Sequence, residues 1–279
     1  MKNTFKYLAM SSILAGSIAF APHFAGAEDK AAPLSAIPGH LNTQVNVKLK
    51  GYVFGIKMIR ADYKAGFSDT EYTTLAHLKT SGLAALLKKF KITASTTGNI
   101  VGGDLRPVQH IQQNHDKKHR RVEMNYGQDA VDISIVPRLG SLGAPAASPK
   151  QAFESDDAMT ALLNIMMRGY KTSDAPCSGS VPVFDSKQHY NLRMEPAGTK
   201  YIKQRGYKGD SIRCAIYYEP VSGFDPEDLP SAEEASTPIL MYLANFEEAG
   251  LYIPVRMTYK ISGFKAVIKA REISIVKRQ

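Results

Sequence analysis

Residues 45–50 read Val-Asn-Val-Lys-Leu-Lys, and this strict alternation decides the fold class. Because successive side chains of a β-strand point to opposite faces, the three apolar side chains face one way and the three polar ones the other. A strand with one apolar and one polar face is typical of an antiparallel sheet that covers a core on one side. The stretch therefore predicts a mainly β protein.

The same period of two recurs along the chain, with turn residues between the runs. Further strands are predicted over residues 56–63, 72–78, from 92 onward, 108–113, 120–126, 131–135, 181–184, 190–194, 212–218, 239–246, 251–260 and 264–275. A chain with so many strands must protect its sheet edges, and a sheet that wraps on itself does so. We expect a single antiparallel β-barrel-like or spiral domain over residues 42–276, with one or two short helices.

Two segments change to the helical period. Between residues 81 and 90, four apolar residues are helically spaced: Leu83, Leu86, Leu87 and Phe90. They predict a short amphipathic helix that ends in Lys88 and Lys89. A second helix is predicted over Ala158–Arg168, with Asp156 or Asp157 as its N-cap and Gly169 as its stop. The Gly- and Pro-containing residues 138–153 before it are expected to form an exposed connection.

The N-terminus has the pattern of a secretory signal. Lys2 and Lys6 precede an apolar run over residues 7–20, and Ala25-Gly26-Ala27 offers a small-residue cleavage site. We expect cleavage after Ala27, a flexible leader over residues 28–41, and export to a bacterial periplasm. No later apolar run approaches the length of a membrane span, so no stable span is expected after cleavage.

The chain is basic, with a formal charge of +9. Such a balance allows an anionic lipid or another anionic envelope component as partner, and a solvated basic surface is the simpler explanation. A periplasmic partner protein is a further possibility. Nucleic acid is not expected as a partner, since the chain has no basic-aromatic binding motif.

The chain has two cysteines, Cys177 and Cys214. An even count in an oxidising compartment predicts one structural disulfide. The spacing excludes a Cys-x-x-Cys redox pair, and a two-cysteine zinc site lacks nearby histidines.

A set of sequence blocks spans most of the chain after the signal: Gly51–Gly55, Thr80–Leu83, Gly103–Pro107, Arg120–Met124, Asp157–Leu163, Cys177, Val183–Asp185, Tyr190–Leu192, Tyr207–Gly209, Cys214, Glu219–Gly223 and Pro254–Arg256. Together these blocks resemble a family of exported Gram-negative proteins known as domain of unknown function 3108. The resemblance implies an exported, β-rich, barrel-like domain with a cysteine pair. It implies no reaction.

Catalytic and metal-binding patterns are weak. His115 and His119 have ligand-like spacing only if helical, and their flanks alternate as strands, so no metal site is predicted and these two are weak candidates. The chain lacks the Gly-x-Ser-x-Gly and His-Glu-x-x-His signatures. Asp156 and Asp157 are explained by helix capping, and Asp185 by a hairpin turn. We expect no catalytic residue and no cofactor.

A basic cluster is the best candidate for binding. It comprises Lys88, Lys89, Lys117, Lys118, Arg120 and Arg121. If the helical segment and the 114–118 hairpin tip are neighbours, these side chains form a cationic rim, and the four apolar residues of the segment gate a barrel mouth. The sequence therefore favours a non-catalytic envelope protein that binds a lipid-like ligand or a partner protein. One alternative is a scaffold whose barrel is packed with side chains. A second is a hydrolase that acts on cell-envelope polymer or lipid.

Overall fold

The computed structural model describes residues 33–82, 84–87, 89–116, 118–170, 175–261 and 264–278. The predicted signal at residues 1–27 lies outside these ranges. The described part of the predicted leader, residues 33–41, lies against the sheet: Leu41 is buried, and the Leu34 N–H donates to Ser95 Oγ over 3.1 Å.

Thirteen antiparallel strands form one sheet, which confirms the predicted fold class. The strands are β1 (Thr43–Val53), β2 (Ile56–Phe67), β3 (Glu71–Thr80), β4 (Lys91–Val101), β5 (Asp104–Asn114), β6 (Arg121–Tyr126), β7 (Val131–Val136), β8 (Ser180–Phe184), β9 (His189–Gln204), β10 (Tyr207–Ser222), β11 (Ile239–Phe246), β12 (Leu251–Ile261) and β13 (Phe264–Lys277). Sheet neighbours follow the chain order except where β1 pairs with β13, so β7 and β8 become the two edges.

Side chains rather than a hydrogen-bonded ladder bring the two edges together. Phe184 of β8 lies in one buried cluster with Val122 and Met124 of β6. The cluster also contains Ala152, which belongs to a short helix between the edges, α2 (Pro149–Phe153). The sheet thus curls into a barrel-like shape whose seam is apolar.

Residues 138–153 were predicted as an exposed connection, and most of them are exposed, but the connection ends in a helix, α2, that was not predicted. Ser148 Oγ accepts from the Gln151 N–H, and the Gln151 side chain accepts from the Ser148 N–H. This reciprocal capping box satisfies two backbone donors that a helix start leaves free, so a five-residue helix forms after a Gly- and Pro-containing stretch.

Helix α3 (Ala158–Met167) begins after its N-cap Asp157, as predicted. Seven of its ten residues are buried. Leu163 and Met166 pack in one apolar cluster with strands β1–β5, β12 and β13, whereas Ala161 and Ile165 pack in a second cluster with β8, β10 and β11. The helix therefore fills the space that the curled sheet encloses.

Two more short helices lie outside the sheet: α1 (Ala84–Leu87) and α4 (Ala232–Ser236). Helix α1 falls inside the predicted helical segment. None of the helices in the described ranges is long and apolar enough to cross a membrane.

The β9–β10 hairpin is much longer than the pattern predicted, because each strand has 16 residues. Its outer half carries mostly polar residues, so the apolar alternation ends before the backbone pairing does. The strands β12 and β13 pair only over Arg256–Ile261 and Phe264–Lys269. Beyond these residues they separate, and the tip of the long hairpin packs over the gap.

Candidate functional site: the basic end of the barrel

The topology places four connections of neighbouring strands side by side at one end of the barrel. Because sequential strands are antiparallel neighbours, alternate turns fall at the same end. These connections are residues 54–57, 79–91, 115–121 and 260–265. We call this end, defined by those four segments, the basic end.

The charge of the basic end is strongly one-sided. Its four segments contain eleven lysines and arginines in the sequence and one acidic residue, Asp116, whereas six acidic residues lie in two other connections at the same end of the strands, residues 185–188 and 223–238. Clustered like charges on one face produce a local potential that attracts anions more strongly than the net charge of the whole chain suggests.

Two exposed phenyl rings lie among these charges. Phe54 in the β1–β2 turn is 69% exposed and Phe264 at the start of β13 is 43% exposed, and their ring centroids are 4.7 Å apart. Phe54 and Gly55 have φ values of 52° and 78°, the left-handed pair that a tight hairpin turn requires. A phenylalanine in this conformation costs about 1 kcal/mol relative to glycine, so the turn holds the ring in water against an energetic penalty. Ile56 beside it is also exposed.

The predicted helical segment and hairpin tip are neighbours, as the rim hypothesis required. The His115 N–H donates to Lys91 O over 2.7 Å, and the Ser81 N–H donates to Met58 O over 2.8 Å. Lys89 is exposed at this end, and Phe90 is half-buried with its N–H bonded to Thr80 Oγ1. The predicted residues Leu83, Lys88 and Lys117, and the side chains of Leu86 and Leu87, lie outside the described part of the chain.

Arg120 and Arg121, both predicted for the rim, bind other groups of the protein. Arg121 Nη2 lies 2.8 Å from a carboxylate oxygen of Glu123, and the Arg121 side chain is 12% exposed. Arg120 donates to the carbonyl oxygens of Pro137 and Arg138. Lys118, also predicted for the rim, lies in the turn before these arginines, where its backbone N–H donates to Asp116 Oδ1.

The histidines of this hairpin do not converge on a metal. His115 Nε2 contacts Thr93 Oγ1 at 3.0 Å, and His119 lies in a tight turn with a φ of 46°. Burial lowers the pKa of His115, and the charges of Lys91 and His119 lower it further. Within the described ranges, no three histidine, cysteine or acidic side chains form a metal-binding group.

A buried polar cluster lies at the start of α3, inside the barrel. Asp157 Oδ1 accepts from the Met159 N–H and from Thr96 Oγ1, and it lies 3.1 Å from His110 Nδ1. Asp157 Oδ2 accepts from Thr160 Oγ1 over 2.6 Å. From the sequence, Asp157 is predicted only as an N-cap of α3. The link to β4 and β5 has no local signal, because Thr96 and His110 are distant in the chain.

The geometry of this cluster differs from that of a catalytic triad. Thr96 Oγ1 and Asp157 Oδ1 both contact Nδ1 of His110, at 2.8 and 3.1 Å. A triad places its nucleophile at one imidazole nitrogen and its carboxylate at the other. The contacts instead fasten the first turn of α3 to the sheet.

The two aspartates before α3 titrate in opposite directions. Burial alone would raise the pKa of Asp157, but the charge and hydrogen bond of His110 and the hydroxyl groups of Thr160 and Thr96 lower it to about 2. Burial and the neighbouring Asp157 charge raise the pKa of Asp156 to about 7, against a smaller lowering by the Asn164 amide.

The predicted disulfide is confirmed. Cys177 follows α3 and Cys214 lies on β10, and the bonded pair has a Cα–Cα distance of 5.1 Å. Both cysteines are buried in the apolar cluster that also receives Ala161 and Ile165 of α3. The bond ties the segment after the enclosed helix to the sheet around it.

The predicted turn role of Asp185 is also confirmed. Asp185 Oδ1 accepts from the backbone N–H groups of Lys187 and Gln188, over 3.1 and 2.7 Å. The same turn places Lys187 Nζ 2.6 Å from Asp225 Oδ2. This ion pair of the buried Lys187 connects the β8–β9 turn to the loop that follows β10.

Comparison with known proteins identifies a family. The model of the family described as "Protein of unknown function (DUF3108)" matches residues 45–268, so the chain belongs to this family. A search of curated proteins gives no match. Among solved structures, the chain is similar to a β-barrel-like protein of domain of unknown function DUF1849 from Brucella abortus, with a TM-score of 0.51 and 13% identity. The similarity covers 85% of this chain and 98% of that one, and it supports the fold alone.

Proposed function

We propose that this DUF3108 protein is an exported, non-catalytic envelope protein that binds an anionic membrane surface through its basic end. The observation that carries the proposal is the exposed pair of Phe54 and Phe264 among the lysines of that end. Aromatic side chains favour the headgroup region of a bilayer, and each basic residue near an anionic surface contributes about 1 kcal/mol of attraction.

Surface binding is preferred to an enclosed lipid because α3 occupies the interior. An acyl chain inside the barrel would have to displace buried side chains such as Leu163 and Met166, neither of which is accessible to solvent. At the basic end, by contrast, Phe54 and Ile56 are already exposed and need no rearrangement. The filled interior equally favours the scaffold, which is the second candidate and which would present its outer surface to a partner protein.

Export to the periplasm is supported by two features of the chain. Residues 1–27 have the charge, apolar run and small-residue end of a secretory signal. The disulfide between Cys177 and Cys214 suits an oxidising compartment. The absence of a catalytic step is supported by the Asp157 cluster, whose contacts serve the packing of α3.

The absence of tryptophan from the chain allows a direct test. A Phe54→Trp variant has a single indole at the basic end, and a Val101→Trp variant has one at an exposed position at the opposite end. Each variant is titrated with phosphatidylglycerol vesicles, with phosphatidylcholine vesicles as the neutral comparison. On the anionic vesicles we expect a blue shift of the indole emission of Phe54→Trp, which salt reverses, and no shift for Val101→Trp.

Two results would decide against membrane binding. If the emission of the Phe54→Trp variant is unchanged on anionic vesicles, the scaffold becomes the better description. If the emission of both variants shifts equally, the contact is a non-specific adsorption of a basic protein.

A further inference from the structure

A groove of about 320 Å³ lies away from the basic end, where the tip of the β9–β10 hairpin meets β1, β2 and β13. Gln204 in the hairpin donates through Nε2 to Val255 O at 2.7 Å and to Ala270 O at 3.2 Å. These bonds bridge the gap where β12 and β13 separate. They place the next residue, Arg205, in the wall of the groove.

A second arginine enters the groove at an irregularity of the sheet. The register between β1 and β13 shifts at Lys48 and Leu49, which leaves Arg271 as an extra residue in β13. Its guanidinium donates to Tyr52 Oη and lies 5.1 Å from the centre of that ring. Its Nε atom is buried and has no hydrogen-bond partner among the described residues.

The groove has an excess of positive charge. Its basic lining residues are Lys48, Lys50, Arg60, Arg205 and Arg271. Two carboxylates, Asp62 and Glu272, also line it, and Glu272 pairs with Lys48 over 2.7 Å. Lys50, Arg60 and Arg205 form no ion pair with any described residue. Lys50, Arg60 and Arg205 come from β1, β2 and the hairpin tip, and cations that outnumber the carboxylates of a groove in this way attract an anion.

The geometry points to a binding site for a small phosphate-bearing molecule, which we propose here independently of membrane binding. Guanidinium groups match the tetrahedral oxygens of phosphate with paired hydrogen bonds, and the groove contains three of them. Its volume suits a sugar phosphate or a single headgroup rather than a polymer. The carboxylates orient such a ligand, since they accept from its hydroxyl groups and repel its phosphate.

Titration calorimetry with inorganic pyrophosphate tests the site. We expect saturable binding at one site per chain, and a Kd at least tenfold higher in the Arg60→Gln/Arg205→Gln variant. Both arginines are exposed, so the variant is expected to fold, and its melting temperature checks this. Lys208→Gln is the matched control, because Lys208 is an exposed cation on the same hairpin that does not line the groove. It should bind as tightly as the unmodified chain.

Equal affinity of the three proteins, or no binding at all, would overturn the assignment. Competition then distinguishes the source of the phosphate. Displacement of pyrophosphate by glucose 1-phosphate indicates a free sugar phosphate, and displacement by a short-chain, water-soluble phosphatidylglycerol indicates a headgroup. Either result supports the site, whereas displacement by neither contradicts it. The groove does not contain Phe54 or Phe264, so its failure and the failure of membrane binding are separate results.

Discussion

Asp157 Oδ1 lies 3.1 Å from His110 Nδ1, and both side chains are buried inside the curled sheet. The same carboxylate caps α3, so one residue both starts the helix and anchors it to β4 and β5. This relationship explains how a short helix keeps a fixed position in an interior that is otherwise largely apolar.

Replacement of this anchor should be costly. Asp157→Ala removes an N-cap, worth about 1 kcal/mol, and takes from the buried donors of Thr96, Met159 and Thr160 the carboxylate that accepts from them. We expect the free energy of unfolding to fall by about 4 kcal/mol in urea denaturation. Asp132→Ala, at an exposed strand position, is the control and should change it by less than about 0.5 kcal/mol. A similar loss in both variants would show that Asp157 is not an anchor.

The raised pKa of Asp156 predicts a pH dependence of stability. Below pH 4 this carboxyl is protonated in both states. As the pH rises from about 4 to 7, the unfolded chain releases the proton first, so the free energy of unfolding falls. Relative to Asp156→Asn, we expect the free energy of unfolding to fall by about 2 kcal/mol over this interval. This is less than the pKa shift of Asp156 would give in full, because the side chain is only half-buried.

Urea denaturation from pH 3.5 to 8 compares the two proteins. Asp157 acts in a different window, because its lowered pKa contributes stability above pH 4 that is lost as the pH falls toward 2. If the free energies of unfolding of the two proteins change in parallel between pH 4 and 7, the raised pKa of Asp156 is contradicted.

Apolar periodicity was enough to predict the fold class and most strands. Alternation at Val45, Val47 and Leu49 reports a buried face directly, and capping at Asp157 fixes the start of α3. The outer half of the β9–β10 hairpin was not predictable in this way, because its residues are mostly polar and backbone pairing leaves no apolar period.

The candidate site was predicted only in part. The juxtaposition of residues 79–91 with the 115–121 hairpin was a condition of the rim hypothesis, whereas no role was predicted for Phe54. Its exposure depends on the turn conformation, and a phenylalanine directly before Gly55 in a hairpin is the signal that could have revealed it. The contact of His110 with Asp157 joins residues far apart in the chain, and no local pattern encodes it.

The disulfide should contribute strongly to stability. It closes a loop over a sequence separation of 37 residues, which is worth about 4 kcal/mol in the chain-entropy treatment. For a chain of this size, the Cys177→Ala/Cys214→Ala variant should melt about 10 °C lower under oxidising conditions. Calorimetry in the presence of a reductant is the control, since the difference should then largely disappear. An unchanged melting temperature would show that the disulfide does not stabilise the fold.

Charge reversal tests the electrostatic part of membrane binding. Lys89→Glu with Lys265→Glu should reduce retention on phosphatidylglycerol vesicles at least tenfold at low salt, with a smaller effect at high salt. Lys203→Glu with Lys277→Glu is the matched control at the other end of the barrel. Arg121 is unsuitable for this test, because Arg121→Glu would place a second carboxylate beside that of Glu123. Equal retention of the two double variants would remove the basic end from the interaction.

Gly206 tests whether the hairpin tip depends on close backbone contact with β13. A Cβ at this position would lie 2.5 Å from Ala270 O, and the backbone oxygen cannot move aside as a flexible side chain would. Gly206→Ala should therefore lower the free energy of unfolding by about 1–3 kcal/mol. It should also speed amide exchange at Ile202, which lies near the tip in one buried cluster with Tyr242 and Val255. Gly140→Ala, where a Cβ meets no atom within 4 Å, is the control. If Gly206→Ala behaves like this control, the tip sits loosely over the gap, and Gln204 alone holds it.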